Sequence, residues 1–316
     1  MSNVRAYLEL LRFPTVFTAM ADVLMGAAVA VASSPDPAPI GDLPGKMLAL
    51  MGPILVLIAT SSCLYLAGMV LNDYCDRQQD AAERPTRPIP SGRVLPTTAA
   101  WLGTVLLLAG VACSLVAAWL LGGWRPALVG VAIAATVLIY DGLLKRTVLG
   151  PLAMGTCRGL NALLGMSLAA AAWQTPHYMI AGGLGLFVAG ITAVGRTEAK
   201  QSHRGWLGIG LLLMWLGMGA IAAFPYYPGI ATQLGSSLQV WLLAWLFLGL
   251  QAGWRLSRAL VDPTPSHVQA AVRLGILSLV VFDAIITFAV VGVAPALIVL
   301  ALIVPTLVVS RWLYLT

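Results

Sequence analysis

The stretch Ile54-Leu55-Val56-Leu57-Ile58-Ala59-Thr60-Ser61-Ser62-Cys63-Leu64-Tyr65-Leu66-Ala67-Gly68-Met69-Val70-Leu71 carries no charge and runs straight into Asn72-Asp73-Tyr74-Cys75-Asp76-Arg77-Gln78-Gln79-Asp80. The apolar part, taken from residue 47 to 71, exceeds the roughly twenty residues a helix needs to cross a bilayer. The polar part then begins abruptly. A buried helix of a soluble protein rarely reads this way; a membrane span meeting water does.

The rest of the chain agrees. Of 316 residues, 18 are Lys or Arg and 12 are Asp or Glu, so charge makes up 9% of the sequence, against roughly 25% in a soluble protein. Hydrophobic residues reach 59% and the mean hydropathy is +0.90. A soluble fold cannot hide that much apolar surface, and disorder is excluded because there is too much to bury. The net charge of +6 does not indicate nucleic-acid binding, because the bases are thinly spread.

Ten apolar segments can be drawn: 13–32, 47–71, 97–121, 126–140, 148–172, 178–194, 205–224, 237–256, 268–291 and 295–314. The expected fold is all-α, a polytopic integral membrane bundle of nine to ten transmembrane helices in one domain, 1–316. Residues 1–32 imitate a signal peptide, but the apolar run from Phe13 has the length of a span, so it is expected to be a retained first helix. If Met1 lies inside and there are ten spans, every base except Lys46 and Arg125 falls on inner loops or helix ends, a strong positive-inside bias. Arg158 is counted among those inner charges. The expected location is a bacterial plasma membrane, with the N-terminus and the polar cluster cytoplasmic.

Other polar residues carry weaker expectations. The four cysteines lack metal-ligand or redox spacing and read as small buried hydrophobes. His177 and His267 read as surface residues. Trp124, Trp173, Trp206, Trp254 and Trp312 fall near helix ends, where interfacial belts form. Asp22 and Asp283 lie inside apolar segments and face either a cavity or a partner helix.

The cluster after residue 71 carries the chemistry. Asn72, Asp76 and Asp80 are spaced i, i+4, i+8, which aligns three oxygen ligands on one helix face. Four acids (Asp73, Asp76, Asp80, Glu83) fall within eleven residues. Such crowding is destabilising unless a cation intervenes. Carboxylates and an amide carbonyl suit Mg²⁺, which usually bridges protein oxygens to substrate phosphates. Arg84 and Arg87 could grip the same phosphates through forked hydrogen bonds. Spacing alone is equally compatible with a solvated acidic helix end neutralised by its own arginines. The concentration of so many of the 12 acids in one place favours a site.

These residues resemble the UbiA superfamily of intramembrane prenyltransferases. Asn72-Asp73-x-x-Asp76-x-x-x-Asp80 and Arg84-x-x-Arg87-Pro88-Ile89-Pro90-Ser91-Gly92 match its first acidic motif and the loop that follows. Leu11-Arg12-Phe13-Pro14 is similar to its N-terminal approach to the membrane. Tyr140-x-x-x-x-Lys145, Gly150 and Arg158-Gly159 are similar to its stretch after the fourth span. The resemblance implies a Mg²⁺-dependent transferase acting on an isoprenoid diphosphate, with ionisation to an allylic cation that a small or lipidic acceptor attacks. It implies metal ligands Asn72, Asp76, Asp80 and Glu198, and catalytic roles for Asp76, Asp80, Lys145 and Glu198. It implies substrate contacts from Arg12, Asp73, Arg84, Arg87, Tyr140, Arg158, Arg196 and Lys200.

The family's second acidic motif is reduced here. The loop Gly195-Arg196-Thr197-Glu198-Ala199-Lys200-Gln201-Ser202-His203-Arg204 holds one acid among several bases. In this it resembles the UbiA-like EboC branch. The alternative expectation is therefore a catalytically reduced relative that binds or helps export a prenylated precursor. A proton-coupled transporter using Asp22 and Asp283 ranks third, because the two halves show no repeat.

Overall fold

The computed structural model describes residues 3–34, 42–169, 171–196, 204–227 and 238–314, and their regular structure is entirely helical. In chain order the helices are α1 (Asn3–Leu10), α2 (Val16–Ala32), α3 (Leu43–Ala49), α4 (Met51–Cys75), α5 (Arg77–Glu83), α6 (Pro96–Leu121), α7 (Arg125–Ile139), α8 (Gly150–Met166), α9 (Thr175–Gly195), α10 (Arg204–Ala223), α11 (Leu238–Val261), α12 (Pro265–Val291), α13 (Val293–Ala301) and α14 (Ile303–Tyr314). All ten apolar segments of the sequence are represented. Eight spans among the described residues are long and apolar enough to cross a membrane. The other two segments form α8 and α11.

The bundle is inside out relative to a soluble protein. Trp101, Leu108 and Trp119 stand largely exposed on the outer face of α6, a surface that only lipid would cover. Its centre is packed by small residues. A Cβ built on Gly165 of α8 would come 2.4 Å from the Val23 carbonyl oxygen of α2, and one on Gly155 of α8 would come 2.3 Å from the Gly185 oxygen of α9. Glycine at these crossings lets backbones touch, the usual means of helix association in lipid. It wedges α8 between α2 and α9 at the heart of the fold.

Polar contacts sort the helix ends onto two faces. On one, Arg5 donates to the Leu313 carbonyl at 2.8 Å, Arg93 pairs with Glu9 at 2.6 Å, Arg196 donates to the Thr147 carbonyl at 2.6 Å, and Arg204 reaches the Val261 carbonyl at 3.3 Å. On the other, Ser33 meets His177 at 3.0 Å and Arg125 donates to the Ala169 carbonyl at 3.3 Å. The first face holds nearly all the bases, as the charge bias requires.

Three expectations are corrected. Arg158 is not a loop charge: it lies two turns inside α8 and is buried, because a buried carboxylate, Asp22, pairs with it. His177 is buried, not superficial, because its Nδ1 accepts the Gln174 backbone N–H at 3.0 Å, closing a capping box at the start of α9. Cys75 is exposed and the other three cysteines are half-buried free thiols. Trp124, Trp254 and Trp312 are exposed near helix ends, as an interfacial belt requires.

Candidate active site

The apolar span α4 does not stop at its polar end. Asp76 N–H donates to the Asn72 carbonyl at 3.0 Å, and Asp80 N–H to the Asp76 carbonyl at 2.8 Å. The i→i+4 ladder therefore survives the junction between α4 and α5. Asn72, Asp76 and Asp80 stack one above another on a single face, as their spacing predicts.

Asp73, beside this face, and Asp76 and Asp80 on it each have a cationic partner. Asp73 accepts Arg12 at 2.9 Å and Arg87 at 3.2 Å, while the same Arg87 Nη1 reaches Asp80 at 2.6 Å. Asp76 pairs with Lys145. Asn72 donates its amide to Asp141 at 2.8 Å. Arg87 can reach back because the proline-rich loop folds on itself: Ser91 N–H donates to the Arg87 carbonyl at 2.9 Å and Val94 N–H to the Pro88 carbonyl at 3.0 Å.

Two backbone irregularities aim the cations. Arg12 adopts φ 45° and ψ 44° between α1 and a short 3-10 turn at Phe13–Thr15. A non-glycine residue in this left-handed region stores strain of order 1 kcal/mol or more, here at the point where the guanidinium turns to Asp73. α7 runs into a π-helical turn over Tyr140–Leu144, closed by a bond from Lys145 N–H to the Tyr140 carbonyl at 2.8 Å. Such turns often occur at functional sites. This one brings Tyr140, Asp141 and Lys145 opposite Asn72 and Asp76. The 17 residues of α8 rise only about 26 Å, less than the roughly 30 Å hydrocarbon core.

The face opens into a cavity of about 1020 Å³ that descends between α2, α4, α7, α8, α9 and α12. Its mouth is charged, with Asp76, Asp80, Arg84 and Lys145. Below, Ile133, Val137, Val188, Ile191, Ile276 and Leu279 make an apolar wall. The α2, α4 and α8 side is polar to its depth, through Thr15, Tyr65, Thr18, Ser61, Arg158 and Asn161.

Of the residues expected at the site, Arg12, Asn72, Asp76, Asp80, Arg84, Tyr140, Lys145, Arg158 and Arg196 line this one cavity. Asp73 and Arg87 are not on its wall; they lie behind it, in the ion-pair network that holds Arg12 and Asp80. Arg196 rests its guanidinium 4.7 Å from the Trp206 ring centre. Glu198 and Lys200 lie outside the described residues, as do Ser202 and His203. Asp22 and Asp283 are fully buried beside one another behind the polar wall, with Arg158 Nε 2.7 Å from Asp22. Sequence reasoning missed Thr18, Ser61 and Asn161. Thr18 and Ser61 resemble the many Ser and Thr residues that merely bond the previous helical turn.

The donor set suits a hard cation. Asp76, Asp80 and the Asn72 side chain line one mouth, and among the described residues no group of three or more His, Cys, Asp or Glu could by itself hold a metal ion. Mg²⁺ commonly takes only one or two protein carboxylates, with water and substrate phosphate completing its shell. Lys145 and Arg87 on Asp76 and Asp80 occupy the positive side of the same balance.

Residues 19–256 match the UbiA prenyltransferase family. The chain is 29% identical over 168 residues to the digeranylgeranylglyceryl phosphate synthase of Methanosarcina barkeri, covering 53% of this chain and 56% of that protein. It is 36% identical over 148 residues to the bacteriochlorophyll synthase 33 kDa chain of Rhodobacter capsulatus, covering 45% of this chain and 42% of that protein. It thus spans about half the length of the curated relatives it matches. In fold it is similar to a UbiA homolog from Archaeoglobus fulgidus bound to DMAPP and Mg²⁺, with a TM-score of 0.60 at 14% identity over 91% of this chain and 99% of the other. With the helical bundle, the acidic helix face and this match across most of its length, the chain belongs to the UbiA prenyltransferase family.

Proposed function

We propose that the protein is an integral-membrane prenyltransferase that moves a prenyl group from an isoprenoid diphosphate to a small or lipidic acceptor. The carrying observation is the stacked Asn72, Asp76 and Asp80 at the mouth of a cavity whose depth is apolar. The charged face, cytoplasmic by its excess of bases, receives the diphosphate. The apolar wall receives the tail, each buried CH₂ contributing about 0.8 kcal/mol.

Asn72, Asp76 and Asp80 would hold Mg²⁺, which supplies electrostatic stabilisation of the diphosphate's charge. Lys145 and Arg84 line the mouth as cations for the same oxygens as the C–O bond breaks. The allylic cation forms below them, between Tyr140 and the apolar wall, where exclusion of water protects it from hydrolysis. The acceptor's attack on that carbon forms the new bond, and its proton leaves to solvent or diphosphate at the mouth. The reduced second loop supports placing the chain near the EboC branch. There Arg196, on the cavity wall, takes over part of the charge of a second cation.

The test uses purified full-length protein, an allylic diphosphate, Mg²⁺ and a lipid extract as acceptor source. Diphosphate release should require Mg²⁺ and vanish in Asp76→Ala and Asp80→Ala. Release unchanged in both variants would show that the site is elsewhere. Tight diphosphate binding with no release from any allylic donor would favour the reduced, precursor-binding alternative.

A further inference from the structure

We propose that a polar shelf at the deep end of the cavity, built by Thr18, Ser61, Arg158 and Asn161, binds an uncharged hydroxyl group of the acceptor. The inference rests on the prenyl-transfer reading for the word acceptor; the chemistry of the shelf stands on its own geometry. Ser61 lies eleven residues below Asn72 on α4, about 16 Å by helical rise. The shelf is therefore far from the diphosphate end. It is a built site: four side chains from three helices, all at most a tenth exposed, aimed into one cavity in the middle of an apolar bundle.

The bonding inventory says what fits. Ser61 donates to Asn161 Oδ1 at 2.6 Å. Asn161 spends its amide hydrogens on the Ala19 carbonyl at 2.9 Å and Asp22 at 2.8 Å. Arg158 donates to the Thr18 carbonyl at 2.8 Å and the Thr18 hydroxyl at 3.2 Å, and its Nε faces Asp22 at 2.7 Å. A guanidinium has five N–H groups, so two η hydrogens remain, while Nε, though close to Asp22, makes no aligned hydrogen bond. Ser61 Oγ and Asn161 Oδ1 keep acceptor lone pairs. A ligand group that both donates and accepts satisfies these remainders. A hydrocarbon tail would strand them, which is costly in a dry site.

Charge narrows the choice further. Arg158 suggests a carboxylate ligand at first sight. Yet two carboxyl groups, Asp22 and Asp283, both fully buried, stand behind this one guanidinium. Asp22 Oδ1 and both Asp283 carboxyl oxygens lack a hydrogen bond among the described residues. The guanidinium therefore already faces a carboxyl group before any ligand arrives. It offers an incoming anion no compensation for its desolvation, whereas a neutral hydroxyl needs none.

Full-length protein in detergent, titrated near pH 7 with 2-naphthol and 2-naphthoate as probes, tests this directly. Naphthol should bind at least about tenfold more tightly. Ser61→Ala should weaken naphthol about tenfold while leaving Mg²⁺-dependent binding of geranyl thiodiphosphate unchanged. The double substitution Asp22→Asn with Asp283→Asn should uncover the Arg158 charge and turn the preference toward naphthoate. If that variant does not fold, Ser61→Ala decides alone. Naphthoate binding as tightly as naphthol to the wild type, or naphthol binding indifferent to Ser61→Ala, overturns the proposal. Wild-type protein that binds naphthol but not the thiodiphosphate supports the shelf and overturns the donor assignment instead.

Discussion

Arg87→Ala should damage stability and donor binding together, and the two effects can be separated. Arg87 Nη1 lies 3.2 Å from Asp73 and 2.6 Å from Asp80, two nearly buried carboxylates. Hydrogen bonds to charged groups contribute roughly 1.5–3 kcal/mol each. Asp73 keeps Arg12 at 2.9 Å, so the larger loss falls on Asp80. Removing one member of a fully buried pair costs about 3–5 kcal/mol. Asp80 borders the cavity and can be rehydrated from it, so that range is a ceiling. A cost of about 2–3 kcal/mol follows, or about 3–5 °C in melting temperature for a chain of this length. Tryptophan fluorescence of the detergent-purified protein would read it. Adding Asp80→Asn to Arg87→Ala removes the uncompensated charge and should restore most of the stability. It should not restore binding of a diphosphate analogue, because Asp80 itself lines the mouth. If Arg87→Ala melts within about 1 °C of the wild type, or the double variant is no more stable than the single one, the ion-pair account of this loop is wrong.

Lys145→Met should cut kcat/KM for the allylic diphosphate at least about 100-fold, roughly 2.7 kcal/mol of lost charge stabilisation. Diphosphate release measures it, and an unchanged value would remove Lys145 from the site. Gly165→Ala would press a methyl against the Val23 carbonyl at 2.4 Å, whereas Gly182 has nothing within 4 Å. The first substitution should destabilise by about 1–3 kcal/mol and the second hardly at all. Equal melting temperatures would contradict the close α2–α8 crossing.

What the sequence discloses depends on how locally each feature is determined. The spans are legible because lipid demands long apolar runs, whatever their partners. The acidic face is legible because one helical ladder carries Asn72, Asp76 and Asp80, so their alignment is a property of spacing alone. The division of labour among the acids is not. Asp73 turns away from the cavity because Arg12, from the left-handed turn after α1, and Arg87, on a folded-back loop, meet it there. The shelf is less legible still. Ser61 bonds a residue 100 positions away, and Asn161 reaches back 139 to Asp22. Its neighbours Thr60 and Ser62 simply bond the preceding turn of α4, and nothing in the sequence separates the three. His177 is the opposite case: Gln174 and His177 at capping-box spacing before an apolar run carried a local cue that reading it as a surface histidine passed over.

The ion pairs also bear on how the site fills. Asp76 and Asp80 each hold a cationic side chain, Lys145 and Arg87, and further bases, Arg84 and Arg196, face the same mouth. A divalent cation arriving alone must displace or repel those bases. A diphosphate arriving alone meets the carboxylates. Together they cancel one another's charge, and Lys145 can exchange its carboxylate for a phosphate oxygen at little net cost. On the proposed function, each ligand therefore strengthens the other, and linkage makes the effect reciprocal. Mg²⁺ affinity, measured by titration with and without geranyl thiodiphosphate, should rise at least about tenfold with the analogue present, a coupling of about 1.4 kcal/mol. Equal affinities would mean that the carboxylates bind metal without reference to the bases beside them. The dense pairing of this mouth would then be structural only.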